Sequence, residues 1–248
     1  MSRGLFQKRQ LPFSLYEVRI ENASEKELSQ ISAEMAIGLN LEEMKKVQRY
    51  FIARKRNPTD VELQTIGQTW SEHCYHKTFK GIVSVGDEKI NSLFKTYIAR
   101  ATNDLGPAWC FSVFEDNAGI VDFDKNFGVA VKVETHNHPS AVEPFGGAAT
   151  GVGGVMRDVL GVWADPSAFT DVLGFGPLDY PYSRLPVGVK HPKYVYDGVT
   201  AGIGAYGNNM GIPTVNGAIC FDESYVGNVV VYCGCVGILP KSKYVRSI

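Results

Sequence analysis

Near the N-terminus one pattern occurs three times. Ser24 stands three residues ahead of Glu27, Asn40 ahead of Glu43, and Thr59 (after Pro58) ahead of Glu62. A short oxygen-bearing side chain followed at that spacing by glutamate is a capping box, which satisfies free N–H groups at a helix start. Behind each box apolar residues return at helical spacing: Leu28, Ile31 and Met35; Met44, Val47 and Phe51; Leu63, Ile66 and Trp70. Ahead of them residues 14–20 alternate and predict a strand. Residues 1–78 therefore read as a leading strand with a helical region.

The texture then changes. Strands are predicted over residues 109–114 and 120–123, with residues 115–119 as a hairpin turn or a carboxylate near a metal. Residues 128–134 alternate: Val129, Val131 and Val133 share one face, so Lys132 and Glu134 share the other. A helix is predicted from Gly153 or Gly154 to about Val162 and another over residues 198–208. Residues 211–217 read as a helix stop and loop or as the lining of a pocket, and residues 226–239 as one or two apolar strands. Strands interleaved with helices make residues 79–248 a second domain, and the fold class is α+β.

Composition narrows the function classes. The chain has 248 residues, 44% of them hydrophobic, enough for a sizeable core and against disorder. Lys and Arg number 25 against 26 Asp and Glu, a net charge of −1. That balance gives no footprint for nucleic acid and no polybasic membrane patch. No apolar run approaches the ~20 residues that span a bilayer. Met1-Ser2-Arg3-Gly4-Leu5 carries no signal-peptide core, so a cytoplasmic location is expected. The five cysteines, without a C-x-x-C pair, are expected to be reduced thiols, mostly in the core.

The chemistry-bearing residues cluster. In Lys132-Val-Glu-Thr-His-Asn-His-Pro-Ser140 a cation, a carboxylate and an imidazole, His136, converge on one side of a strand end. These types suit phosphate, a metal ion and proton transfer; the plain alternative is a solvated polar strand end. Gly146, Gly147, Gly151, Gly153 and Gly154 follow, a tract that could cradle an anion with its N–H groups or serve packing and tight turns. Arg157 is the only Lys or Arg between Lys132 and Arg184, and Asp158 beside it suits Mg²⁺; the pair could equally be a local helix salt bridge. His73, His76 and Lys77 gather at the predicted end of the third helix, either as a proton-transfer site or as a solvated helix end. They lack the ligand set of a zinc site.

The segments TWSEHCYHKTFKG, VKVETHNHPSAVEPFGGAATGVGGVMRDVLG and GIPTVNGAICFDESYVGN together resemble phosphoribosylformylglycinamidine synthases, the PurL-type subunit and most closely its archaeal members. The resemblance runs from about Tyr16 onward. It implies a linker region followed by a PurM-like N-terminal domain, β-rich and dimerising. It implies ATP-dependent conversion of formylglycinamide ribonucleotide and ammonia to formylglycinamidine ribonucleotide, with Mg²⁺. The ammonia comes from glutamine through a glutaminase subunit, and a small accessory subunit assists assembly. Carried over by motif, His73 is a catalytic histidine and His136 the proton acceptor. Lys132 contacts ATP, as does the position of His76, which is Tyr in some short members. Glu134 and Asp158 hold magnesium, and Thr135, Asn137, His138 and Arg157 contact substrate. Family members continue well beyond this length, so the chain alone is expected to fold and pair without turning over. The alternatives are a relative of aminoimidazole ribonucleotide synthetase, another PurM-like ATP enzyme, and a non-catalytic assembly module.

Overall fold

The structure is a computed structural model that describes residues 6–8 and 12–244; the stretch Met1–Leu5, read above for a signal-peptide core, lies outside them. It resolves into two compact units, divided between Leu105 and Gly106.

In the first unit a short hairpin, β1 (Phe6–Lys8) and β2 (Tyr16–Val18), precedes three helices: α1 (Glu25–Glu34), α2 (Leu41–Ala53) and α3 (Asp60–Thr69). All three capping boxes form: Ser24, Asn40 and Thr59 each accept the N3 backbone N–H, and the N3 glutamate accepts the cap's own. Leu28, Ile31, Met44, Val47, Phe51 and Leu63 close one core with Val18 and Ile20. A short helix α4 (Lys77–Lys80), a hairpin β3 (Ile82–Val85) and β4 (Glu88–Asn91), and a helical stretch ending in α5 (Arg100–Leu105) complete the unit. Residues 79–105 thus belong to this unit, where the change of pattern along the sequence drew a boundary at 78.

The second unit is a six-stranded sheet with two helices on one face. Its strands are β5 (Cys110–Ser112), β6 (Gly119–Asp122), β7 (Phe127–Thr135), β8 (Asp165–Phe175), β9 (Thr214–Phe221) and β10 (Val230–Pro240). Their order is β5-β6-β7-β10-β8-β9, antiparallel except for β8 and β9. A short helix α6 (Asn137–Val142) leads into α7 (Pro144–Gly161), and α8 (Pro192–Met210) links β8 to β9. Both long helices start on proline at the first turn, where its missing N–H costs nothing. Gly211, at φ 69°, ends α8 in the left-handed conformation. The segment at 211–217, read from sequence as a loop, becomes strand from Thr214.

The glycine tract is a correction. Gly146, Gly147, Gly151, Gly153 and Gly154 are not a phosphate-cradling loop but lie inside α7, which begins nine residues ahead of Gly153. Gly147, Gly151 and Gly153 serve close packing, whereas Gly154 has nothing within 4 Å. A Cβ at Gly147 would run into the Pro139–Ser140 backbone, and one at Gly202 of α8 into the Phe145 carbonyl. Gly198 and Gly202 let α8 approach the backbone of α7, and burial of Val152, Val155 and Val159 offsets the poor helix propensity of glycine.

Parity along β7 divides its residues. Ala130 is fully buried under α7, whereas Val131 and Val133 are 42% and 44% exposed on the other face. Val172 and Tyr232 extend that uncovered apolar surface across β8 and β10. Of the five free cysteines only Cys233 and Cys235 are buried; Cys74 and Cys220 are exposed, which corrects the expectation of core thiols. No described helix is long and apolar enough to cross a membrane.

Candidate active site

The helix-covered face of β7 ends in Lys132 and Glu134. Asp158, one turn before the end of α7, comes down to meet them: Lys132 Nζ lies 2.8 Å from Asp158 Oδ2 and 4.0 Å from Glu134 Oε2. Lys132 and Asp158 are mostly shielded, and Glu134 is about half open. Asp158 therefore pairs across the fold and not with its neighbour Arg157, which stays exposed on α7. Two carboxylates beside one ammonium can exchange that cation for a divalent ion. Among the described residues no cluster of three metal-ligating side chains forms, so two carboxylates are what this unit offers a metal.

Beyond Glu134 the chain turns out of the strand. The His136 N–H donates to the Val231 carbonyl of β10 at 2.8 Å, and Asn137 Oδ1 accepts the Val231 N–H at 2.8 Å. That clamp fixes the turn and engages the oxygen of Asn137, leaving its amide nitrogen for a ligand. The His136 ring meets the Gly147 carbonyl through Nδ1. Thr135 and His138 are exposed, and His138 lines a cavity of about 230 Å³ with Lys190, Phe175 and Tyr225.

His73 and His76 belong to the first unit. α3 ends at Thr69, so both lie in the turn after it, beyond the last helical turn where a dipole acts. The turn is built by local bonds: Cys74 N–H donates to Ser71 Oγ at 3.1 Å, and Glu72 accepts from Thr78. His73 is exposed with Nδ1 3.5 Å from Cys74 Sγ, and His76 is exposed at φ 57°. Lys77 is held by Glu43 of α2 at 2.9 Å.

Sequence reasoning passed over Asp171. It sits on β8 opposite Cys233 of β10, which in turn faces Glu134 of β7, so the three side chains share one row across the sheet. Asp171 is 5% exposed, and neither carboxylate oxygen has a hydrogen-bond partner. Burial pushes its carboxyl above the ordinary range, against a smaller opposing effect of the Cys233 thiol. A single aspartate in an alternating strand carries no sign of burial in the sequence.

Residues 115–239 match the model of the AIR synthase related protein, N-terminal domain, and residues 28–77 that of the formylglycinamide ribonucleotide amidotransferase linker domain. The PurL subunit of phosphoribosylformylglycinamidine synthase from Thermoplasma volcanium is 40% identical over 230 residues, 93% of this chain and 28% of that protein. T. maritima PurL, solved with ATP and with FGAR, superposes with a TM-score of 0.55 at 36% identity over 77% of this chain, and 26% and 25% of those chains. PurLQS from T. maritima gives 0.53 at 30% identity, covering 88% of this chain and 27% of its counterpart. The chain thus spans little more than a quarter of the length of the relatives it matches.

Proposed function

The chain belongs to the AIR synthase related family, whose N-terminal domain it carries behind a formylglycinamide ribonucleotide amidotransferase linker, and from that premise we propose that it forms part of the ATP-binding half of a formylglycinamidine ribonucleotide synthase. The observation that carries the reading is the convergence of Lys132, Glu134 and Asp158 at one strand end. In the reaction ATP phosphorylates the amide oxygen of formylglycinamide ribonucleotide and ADP leaves. Ammonia then bonds to the amide carbon, phosphate departs, and a histidine takes up a proton from the new nitrogen.

The residue roles are those that the resemblance implies, and the residue types suit them. Lys132 turns from Asp158 to the nucleotide phosphates. Glu134 and Asp158 would hold magnesium, which would neutralise phosphate charge; two carboxylates suit an ion that takes few protein ligands. His136 accepts the proton, and Thr135, Asn137, His138 and Arg157 contact the ribonucleotide. His73 serves as a second catalytic histidine and His76 as an ATP contact. Ammonia derives from glutamine through a glutaminase subunit, with a small accessory subunit in the same cytoplasmic complex. The exposed valines of β7, with Val172 and Tyr232, favour a further role in assembly: this sheet face pairs with a second copy or a homologous half.

Calorimetric titration with Mg-ATP tests the assignment. Heat of binding is expected with the chain and its loss with Lys132→Ala; the absence of heat in a full-length protein overturns it. Steady turnover of ribonucleotide, ATP and ammonia by the 248-residue chain alone would refute the expectation that this portion is inactive by itself.

A further inference from the structure

We infer that the main-chain carbonyl of Gly147 is the positioning group of His136, holding its neutral ring in the tautomer protonated on Nδ1 and leaving Nε2 bare. The inference deepens the reading of His136 as proton acceptor and rests on it for its catalytic meaning. A neutral imidazole carries one N–H, and a carbonyl oxygen only accepts, so the Nδ1 contact to Gly147 fixes which nitrogen is protonated. The ring has little freedom to escape it. The His136 N–H is held by Val231, its carbonyl accepts Ser140 Oγ at 2.7 Å, and Asn137 is tied to the same Val231.

Glycines deliver the carbonyl. A Cβ at Gly147 would collide with the Pro139–Ser140 backbone, and one at Gly151 would stand 3.0 Å from His136 Cβ and 3.2 Å from Cys233 Sγ. One helical turn apart on α7, they let the helix settle directly over the imidazole. His191 in the same unit supplies the opposite case: its Nδ1 accepts the Lys193 N–H at 3.2 Å, and its Nε2 donates to the Tyr180 carbonyl at 2.8 Å.

Long-range proton–nitrogen correlation spectra of the ¹⁵N-labelled chain read both rings directly, with no nucleotide or ribonucleotide present. His136 is expected as the Nδ1–H tautomer in roughly tenfold excess, a ratio that one well-made hydrogen bond sustains, and His191 as the Nε2–H tautomer. Signals are assigned by their loss in His136→Gln and, independently, in His191→Asn, so a failure of either variant to fold leaves the other. An Nε2–H ring or an even mixture at His136 overturns the inference. Because the readout needs no ligand, its failure is distinct from a failure to bind Mg-ATP, which would instead remove the proposed function.

Discussion

Lys132 Nζ stands 2.8 Å from Asp158 Oδ2, so the cation of β7 neutralises an acid brought to it by α7. Removing the cation leaves Glu134 and Asp158 as two adjacent negative charges. Lys132→Met is therefore expected to bind Mn²⁺ roughly fivefold more tightly than the parent chain at low ionic strength, measured by electron paramagnetic resonance. Asp158→Asn instead leaves the shielded ammonium with only the more distant Glu134 and lowers unfolding free energy by about 1 kcal/mol in chemical denaturation. Unchanged metal affinity in the first variant would deny that the carboxylates share a site.

Asp171 gives the second unit a pH dependence of definite sign. Its folded-state pKa is raised by burial, so its contribution is intact below the unfolded value of about 4 and is lost as pH rises through the folded value. Asp171→Asn removes this dependence. The variant's melting temperature should exceed the parent's by about 2–4 °C at neutral pH, with the gap narrowing toward pH 4. A gap constant with pH would mean that the carboxyl titrates alike in both states.

Two glycines of α8 should respond oppositely to the same change. At Gly202 a methyl group meets the Phe145 carbonyl, so Gly202→Ala is expected to cost about 3 kcal/mol. At Gly204 nothing lies within 4 Å, and Gly204→Ala should gain up to about 1 kcal/mol from helix propensity alone. Urea denaturation of the two variants decides it.

The α8 cap is a histidine ring, with Nδ1 accepting the Lys193 N–H. His191→Ala should cost about 1 kcal/mol, and His191→Asn, whose carbonyl oxygen can take the same N–H, much less. Equal losses in the two variants would place the role of His191 in its 4.3 Å stacking on Tyr182.

The capping boxes at Ser24, Asn40 and Thr59 were legible because each is complete within four residues. The shared face of Lys132 and Glu134 was legible because strand parity depends only on spacing. Asp158 was singled out by residue type, and its reach across to Lys132 is a tertiary fact that spacing does not encode. The glycine tract misled because helix propensity, about 1 kcal/mol per glycine against alanine, argues for a loop. Only tertiary neighbours, the Pro139–Ser140 backbone at Gly147 and His136 at Gly151, turn that cost into a close contact. Likewise nothing local reveals that residues 79–105 keep company with the first three helices, or that the Gly147 carbonyl finds His136.

The position of β10 bears on how the protein comes into being. The last of the described strands lies in the middle of the sheet, between β7 and β8. Until residue 240 has left the ribosome, the nascent chain holds two separate ribbons, β5-β6-β7 and β8-β9, and Val231 is not yet there to seat His136. Synthesis therefore completes this corner in a single late, long-range zipping event, the slow kind of step that leaves unpaired edges open to capture by chaperones.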